Sequence, residues 1–187
     1  TLFRNPALAE ALESLLYKRD GLVLGVCNGF QALIKLGLLP YGHIQPLKAD
    51  SPTLTYNTIG RHLSRMVDTK VVSTMSPWFA NVKAGDIHTV AISHGEGRFV
   101  ASPEQIRQLA AKGQIATQYV DLNGKATYDS TFNPNQSVFA VEGITSPDGR
   151  VLGKMAHTER YTGETMFRNI DGNKVQPIFA AGTEYFK

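Results

Sequence analysis

Apolar positions along the chain fall into two periods, and the switches between them mark out the elements. Leu8, Ala11, Leu12, Leu15 and Leu16 recur at helical spacing over residues 6–18, and Asp20-Gly21 ends the pattern. LVLGV (22–26) is a short unbroken apolar run, as expected of a strand buried on both faces of a parallel sheet. Phe30, Leu33, Ile34 and Gly37 then return to the helical period, so a helix begins directly after residue 27; Gly37 and Pro40 are its stop signals. The polar stretch 41–60, with Pro46, Pro52 and Gly60, reads mostly as loop.

Residues 62–73 and 88–94 are rich in strand formers. Residues 102–113 read as a helix, with Ser102 as N-cap, Pro103 in the first turn, Gln105 completing a capping box and Gly113 closing the end. Asn123-Gly124 and Asp148-Gly149, each between strand-like flanks, predict hairpins. TGETMFRNI (162–170) reads as a short helix. Strands alternating with helices predict a three-layer α/β domain with a mostly parallel sheet flanked by helices.

Composition narrows the classes. With 187 residues, 42% hydrophobic and 19% charged, the chain suits one domain, residues 1–187, with a sizeable core. No apolar run approaches the ~18 residues of a membrane span, and the opening segment lacks the features of a signal peptide. The net charge is +3, and Arg61, Arg65, Lys70 and Lys83 are scattered, so a nucleic-acid partner is not expected. A single cysteine makes no internal disulfide, and a cytoplasmic location is expected. The chain opens on Thr1 and runs straight into helical sequence, so it reads as a fragment of something longer.

That cysteine carries the candidate chemistry. Gly25-Val26-Cys27-Asn28-Gly29 lies at a strand-to-helix junction, the setting of a nucleophile elbow. The following helix N-terminus favours thiolate over thiol and offers N–H groups to an oxyanion. The bland alternative is a small buried hydrophobe, which free cysteine often is. A thiol nucleophile needs a proton shuttle. Of five histidines, His43, His62 and His88 have little to recommend them. His94 ends a strand in a glycine-rich turn, where ligands gather in α/β sheets. His157 ends VLGKMAH with Glu159 two residues on, and an extended chain would put both side chains on one face. Cys27, His157 and Glu159 thus fit a Cys-His-acid arrangement.

Gly25-Val26-Cys27-Asn28-Gly29-Phe30-Gln31 together with His157-Thr158-Glu159-Arg160 resembles the class I (triad) glutamine amidotransferases. His94-Gly95-Glu96-Gly97-Arg98-Phe99, Gln118-Tyr119-Val120-Asp121, Asn133-Pro134-Asn135 and Asp148-Gly149-Arg150-Val151 narrow the resemblance to the glutaminase part of phosphoribosylformylglycinamidine synthase. SPTLTYNTIGRHLSRMV and the ending IFAAGTEYFK look more like its large single-chain form. The family often has proline at Thr158 and commonly glycine at Gln136. Its glutaminase domain also begins earlier, with a strand and a PGGF-type loop that supplies part of the oxyanion hole.

The resemblance implies a flavodoxin-like amidotransferase fold lacking that first strand and loop. It implies glutaminase chemistry on L-glutamine with catalytic Cys27, His157 and Glu159. Asn28 would serve the oxyanion, and Gln31 and His94 would bind glutamine. No metal or cofactor is expected in this domain; ATP and magnesium would belong to a synthetase domain of the same longer chain, the expected partner. The rivals are a DJ-1/PfpI-like cysteine hydrolase or chaperone, and an inactive docking fragment.

Overall fold

The computed structural model describes residues 5–163 and 167–187. Helix α1 (Pro6–Tyr17) starts on an Asn5 cap with proline in its first turn and buries Leu16. Strand β1 (Val23–Val26) leads directly into α2 (Asn28–Lys35), whose Phe30, Leu33 and Ile34 are buried, the stripe its spacing predicts. Gly37, at φ +76°, ends that helix in the left-handed conformation, and a short helical turn, α3 (Leu38–Tyr41), follows. Strands β2 (Thr53–Tyr56), β3 (Leu63–Val71), β4 (Ile87–His94) and β5 (Glu96–Val100) precede α4 (Pro103–Ala111). The capping box of Ser102 and Gln105 at the start of α4 is complete. Strands β6 (Ile115–Tyr119), β7 (Val141–Thr145) and β8 (Val151–Lys154) come next, and α5 (Ile178–Glu184) closes the described chain.

The main sheet has six strands in the order β1-β8-β7-β6-β3-β4, and β2 pairs with β5 in a separate two-stranded sheet. Alternate strand residues face opposite cores. Ile115 and Val151 join Phe30, Ile34, Ile106 and Leu109 on one side, whereas Ala116 and Leu152 join Phe79 and Ile178 on the other. Both faces are therefore covered, and the domain is a three-layer α/β structure.

Strand direction differs from the expectation of a mostly parallel sheet. Only β1 and β8 run parallel; β3–β4, β3–β6, β6–β7 and β7–β8 are antiparallel. The physical reason lies in the connections. A parallel return needs a crossover, usually a helix. Between β3 and β4 there is only a 3-10 turn at Pro77–Phe79, and between β7 and β8 the tight Asp148-Gly149 loop. The stretch 41–60, expected as loop, supplies β2, whose Leu54 is buried against the main core. The helix expected over 162–170 has its middle, 164–166, outside the described residues, and 167–170 form a turn closed by Ile170 N–H on Phe167 C=O.

Candidate active site

Cys27 caps α2 at φ +52°, ψ −107°, a conformation L-residues rarely adopt. The elbow is held at both ends: Cys27 N–H donates to Lys154 C=O at 2.8 Å, and Cys27 C=O accepts from Gln31 N–H at 3.1 Å. Gly25 is required by close approach, since a Cβ there would stand 2.5 Å from Leu33 Cδ1 and 2.7 Å from the Gly29 carbonyl carbon. Gly29 faces open space instead, with nothing within 4 Å of such an atom.

β1 and β4 lie at opposite ends of the strand order, yet Cys27 Sγ is 3.7 Å from the Ser93 carbonyl oxygen of β4. The sheet therefore curls until the ends of its first and last strands meet. The chain leaving β8 spans the same gap, with His157 N–H donating to Ala91 C=O at 2.7 Å. This brings the His157 turn to the elbow, close enough that the Arg160 and Glu159 charges both act on the Cys27 thiol.

Within that turn, His157 Nδ1 lies 2.5 Å from Glu159 Oε1, and His157 Nε2 lies 3.3 Å from an Arg160 guanidinium nitrogen. A carboxylate can only accept and a guanidinium can only donate. Nδ1 therefore carries the proton, and Nε2 presents its lone pair, which here accepts from Arg160. Burial pushes the Cys27 thiol up, opposed by the Asn28 backbone N–H and, more weakly, by Arg160. The helix N-terminus does favour the thiolate, as its position predicts, but desolvation outweighs it.

The other singled-out residues divide. Asn28 is exposed at the start of α2, its N–H beside the thiol. Gln31 is half-buried, and its side-chain N–H donates to Glu96 C=O. His94 is enclosed rather than open to a ligand: its ring packs against Gly97, where an added Cβ would collide with it. Its Nδ1 pairs with Asn57 Oδ1 at 3.2 Å, its Nε2 is buried and unpaired, and burial lowers its pKa to about 4. Among the described residues no group of three His, Cys, Asp or Glu is arranged to hold a metal ion, and no helix is long and apolar enough to cross a membrane.

Several motifs distant in sequence converge beside the site. Asn135 Nδ2 donates to Gly97 C=O at 2.8 Å and to the Tyr119 hydroxyl at 3.1 Å, joining the His94–Phe99, Gln118–Asp121 and Asn133–Asn135 stretches. Gln136 adopts φ +61°, which is why glycine suits that position; here its side chain ties the turn instead, through Tyr128 and Asn133 carbonyls at 2.9 Å each. Sequence reasoning overlooked Asn57, Ser93 and Lys154, whose parts are played by backbone carbonyls or by buried partners. Only Lys154 left a trace, as a lone cation in an otherwise apolar strand.

The model of the CobB/CobQ-like glutamine amidotransferase domain matches residues 1–186. The chain belongs to that family. Its curated relatives include the phosphoribosylformylglycinamidine synthase subunit PurQ of Acaryochloris marina, 40% identical over 145 residues, covering 78% of this chain and 56% of the relative. The PurQ subunit of Chlorobaculum tepidum is 35% identical over 159 residues, covering 84% of this chain and 62% of the relative. The chain thus spans less than two thirds of these relatives. Among solved structures, PurLQS from Thermotoga maritima superposes with a TM-score of 0.69 at 26% identity, covering 96% of this chain and 68% of the other. The amidotransferase fold expected from the motifs is thereby shown.

Proposed function

We propose that this amidotransferase domain releases ammonia from L-glutamine and supplies it to a phosphoribosylformylglycinamidine synthase. The observation that carries the reading is the 2.5 Å contact of His157 Nδ1 with Glu159 Oε1, on a turn that runs beside the Cys27 elbow: a carboxylate there calls for Nδ1–H and leaves the lone pair on Nε2. A DJ-1/PfpI-like hydrolase does not predict a His-x-Glu pair after the late hairpin.

With glutamine bound and the Arg160 guanidinium turned aside, Nε2 takes the thiol proton. The sulfur attacks the side-chain carboxamide carbon, and the oxyanion forms against N–H groups at the start of α2, Asn28 among them. The imidazolium returns the proton to the leaving ammonia. A water molecule, deprotonated by Nε2, then hydrolyses the glutamyl thioester to glutamate and restores the thiol. Because the resting thiol is protonated, a base within reach is needed for every turnover. His94, neutral and enclosed, supports the Gly97 turn, while Gln31 braces Glu96 beside the elbow.

The relatives named above are separate PurQ subunits. The stretches SPTLTYNTIGRHLSRMV and IFAAGTEYFK favour the large single-chain form for this protein, in which a synthetase domain with ATP and magnesium converts formylglycinamide ribonucleotide to its amidine.

The test uses the full-length protein with formylglycinamide ribonucleotide, ATP and magnesium. Glutamine should give glutamate and amidine product in equal amounts. Cys27→Ala should abolish product from glutamine and preserve product from free ammonia. Loss of both, or of neither, contradicts the reading.

A further inference from the structure

Two charged side chains beside His157 are fully buried, and the proposed chemistry uses neither. Glu142, on β7, and Lys154, the last residue of β8, are both 0% exposed, with Nζ and Oε1 3.5 Å apart. Such residues are almost never buried unless paired. Removing both charges from water is costly, and an apolar pair would fill the space without that cost. Something other than packing has to account for them.

Nearly every remaining bond of the pair goes to the His157 turn. Lys154 Nζ donates to Ala156 C=O at 2.9 Å and to Thr158 Oγ1 at 3.0 Å. Glu142 Oε1 accepts from Ala156 N–H at 2.6 Å, and its Oε2 accepts from the Thr117 hydroxyl. Thr158 Oγ1 in turn donates to Gln176 Oε1 at 2.6 Å. The residue before His157 is thus fixed at both its N–H and its C=O, and the residue after it through its side chain. Lys154 also reaches the other half of the site, because its own carbonyl accepts the Cys27 N–H at 2.8 Å. Burial pulls the Lys154 ammonium down, and Glu142 counters it by favouring the charged form.

We propose that Lys154, balanced by Glu142, is a positioning residue that locks the Cys27 elbow and the His157 turn into one register. This rests on the Cys27–His157 chemistry proposed for the site. Thr158, where the family often has proline, supplies one of the two oxygens that Lys154 grips on the turn.

The test compares full-length wild type with the Lys154→Met/Glu142→Gln double variant. Removing both charges strands neither, and the new amide can keep the Ala156 and Thr117 contacts. Glutamate release should fall on the order of 10- to 100-fold in kcat, with KM within about twofold, because the reacting groups are misplaced and substrate binding is not. The low-field NMR resonance of the His157 Nδ1–H bound to Glu159 should broaden or vanish. A pair that only stabilises the fold would shift the melting temperature and leave both readouts of the folded protein unchanged, which would overturn the proposal. Should the double variant not fold, Thr158→Val removes only the gripped hydroxyl. It should lower kcat several-fold at constant KM, and an unchanged kcat overturns the proposal. Cys27→Ala separates the two levels: retained glutamate release refutes the underlying chemistry, whereas an inactive Cys27→Ala beside a fully active double variant refutes the positioning role alone.

Discussion

Glu159 Oε1 lies 2.5 Å from His157 Nδ1, and that contact decides which imidazole nitrogen carries the proton. Glu159→Gln keeps the size and can offer an N–H to Nδ1, inverting the tautomer. We expect kcat for glutamate release to drop by about a hundredfold or more, as when the orienting acid of a catalytic triad is neutralised. A fall of less than tenfold would mean that the tautomer is set by something other than Glu159.

His94 makes stability depend on pH. Its pKa falls from 6.5 to about 4 on folding because burial disfavours the cation. Between those values the unfolded chain binds more protons than the folded one, so stability rises with pH across the window and is lost on acidification. The loss from pH 7 to pH 4 should approach ~3 kcal/mol from this residue alone. Urea midpoints at the two pH values measure it, and His94→Gln should flatten the slope.

The two elbow glycines should behave oppositely. Gly25→Ala forces a methyl against Leu33 and the Gly29 backbone, and overpacking of that kind costs about 1–3 kcal/mol. Gly29→Ala meets open space in the first turn of α2 and should leave the melting temperature unchanged or slightly raised. Equal thermal shifts for the two variants would contradict the elbow packing described.

The legible part of this molecule was local. The helical spacing that gave α1, the Ser102/Gln105 helix start, the α2 stripe of Phe30, Leu33 and Ile34, and the Asp148-Gly149 hairpin all follow from chemistry within a few residues. Cys27 and the His157-Glu159 pair were legible too, because a strand-to-helix junction and a two-residue spacing are short-range signals. Strand direction in the rest of the sheet was not, since it depends on what the longer connections do; β3 and β4 are joined without a helix that periodicity could reveal. His94 looked available at a strand end, but the Gly97 backbone folds over its ring and Asn57 pairs with its Nδ1. The balance at Cys27 between burial and the helix N-terminus is likewise a tertiary quantity, set by how closely β4 curls over the thiol.

The central claim is that Cys27 is the nucleophile and that the turn bearing His157 activates it. Its most direct test is covalent labelling of the full-length protein with a diazoketone analogue of glutamine, read by intact mass and peptide mapping. The account predicts one adduct per chain, located on Cys27, blocked by excess glutamine, absent in Cys27→Ala and strongly slowed in His157→Asn. An adduct on any other residue, or labelling of Cys27→Ala at the wild-type rate, would contradict it.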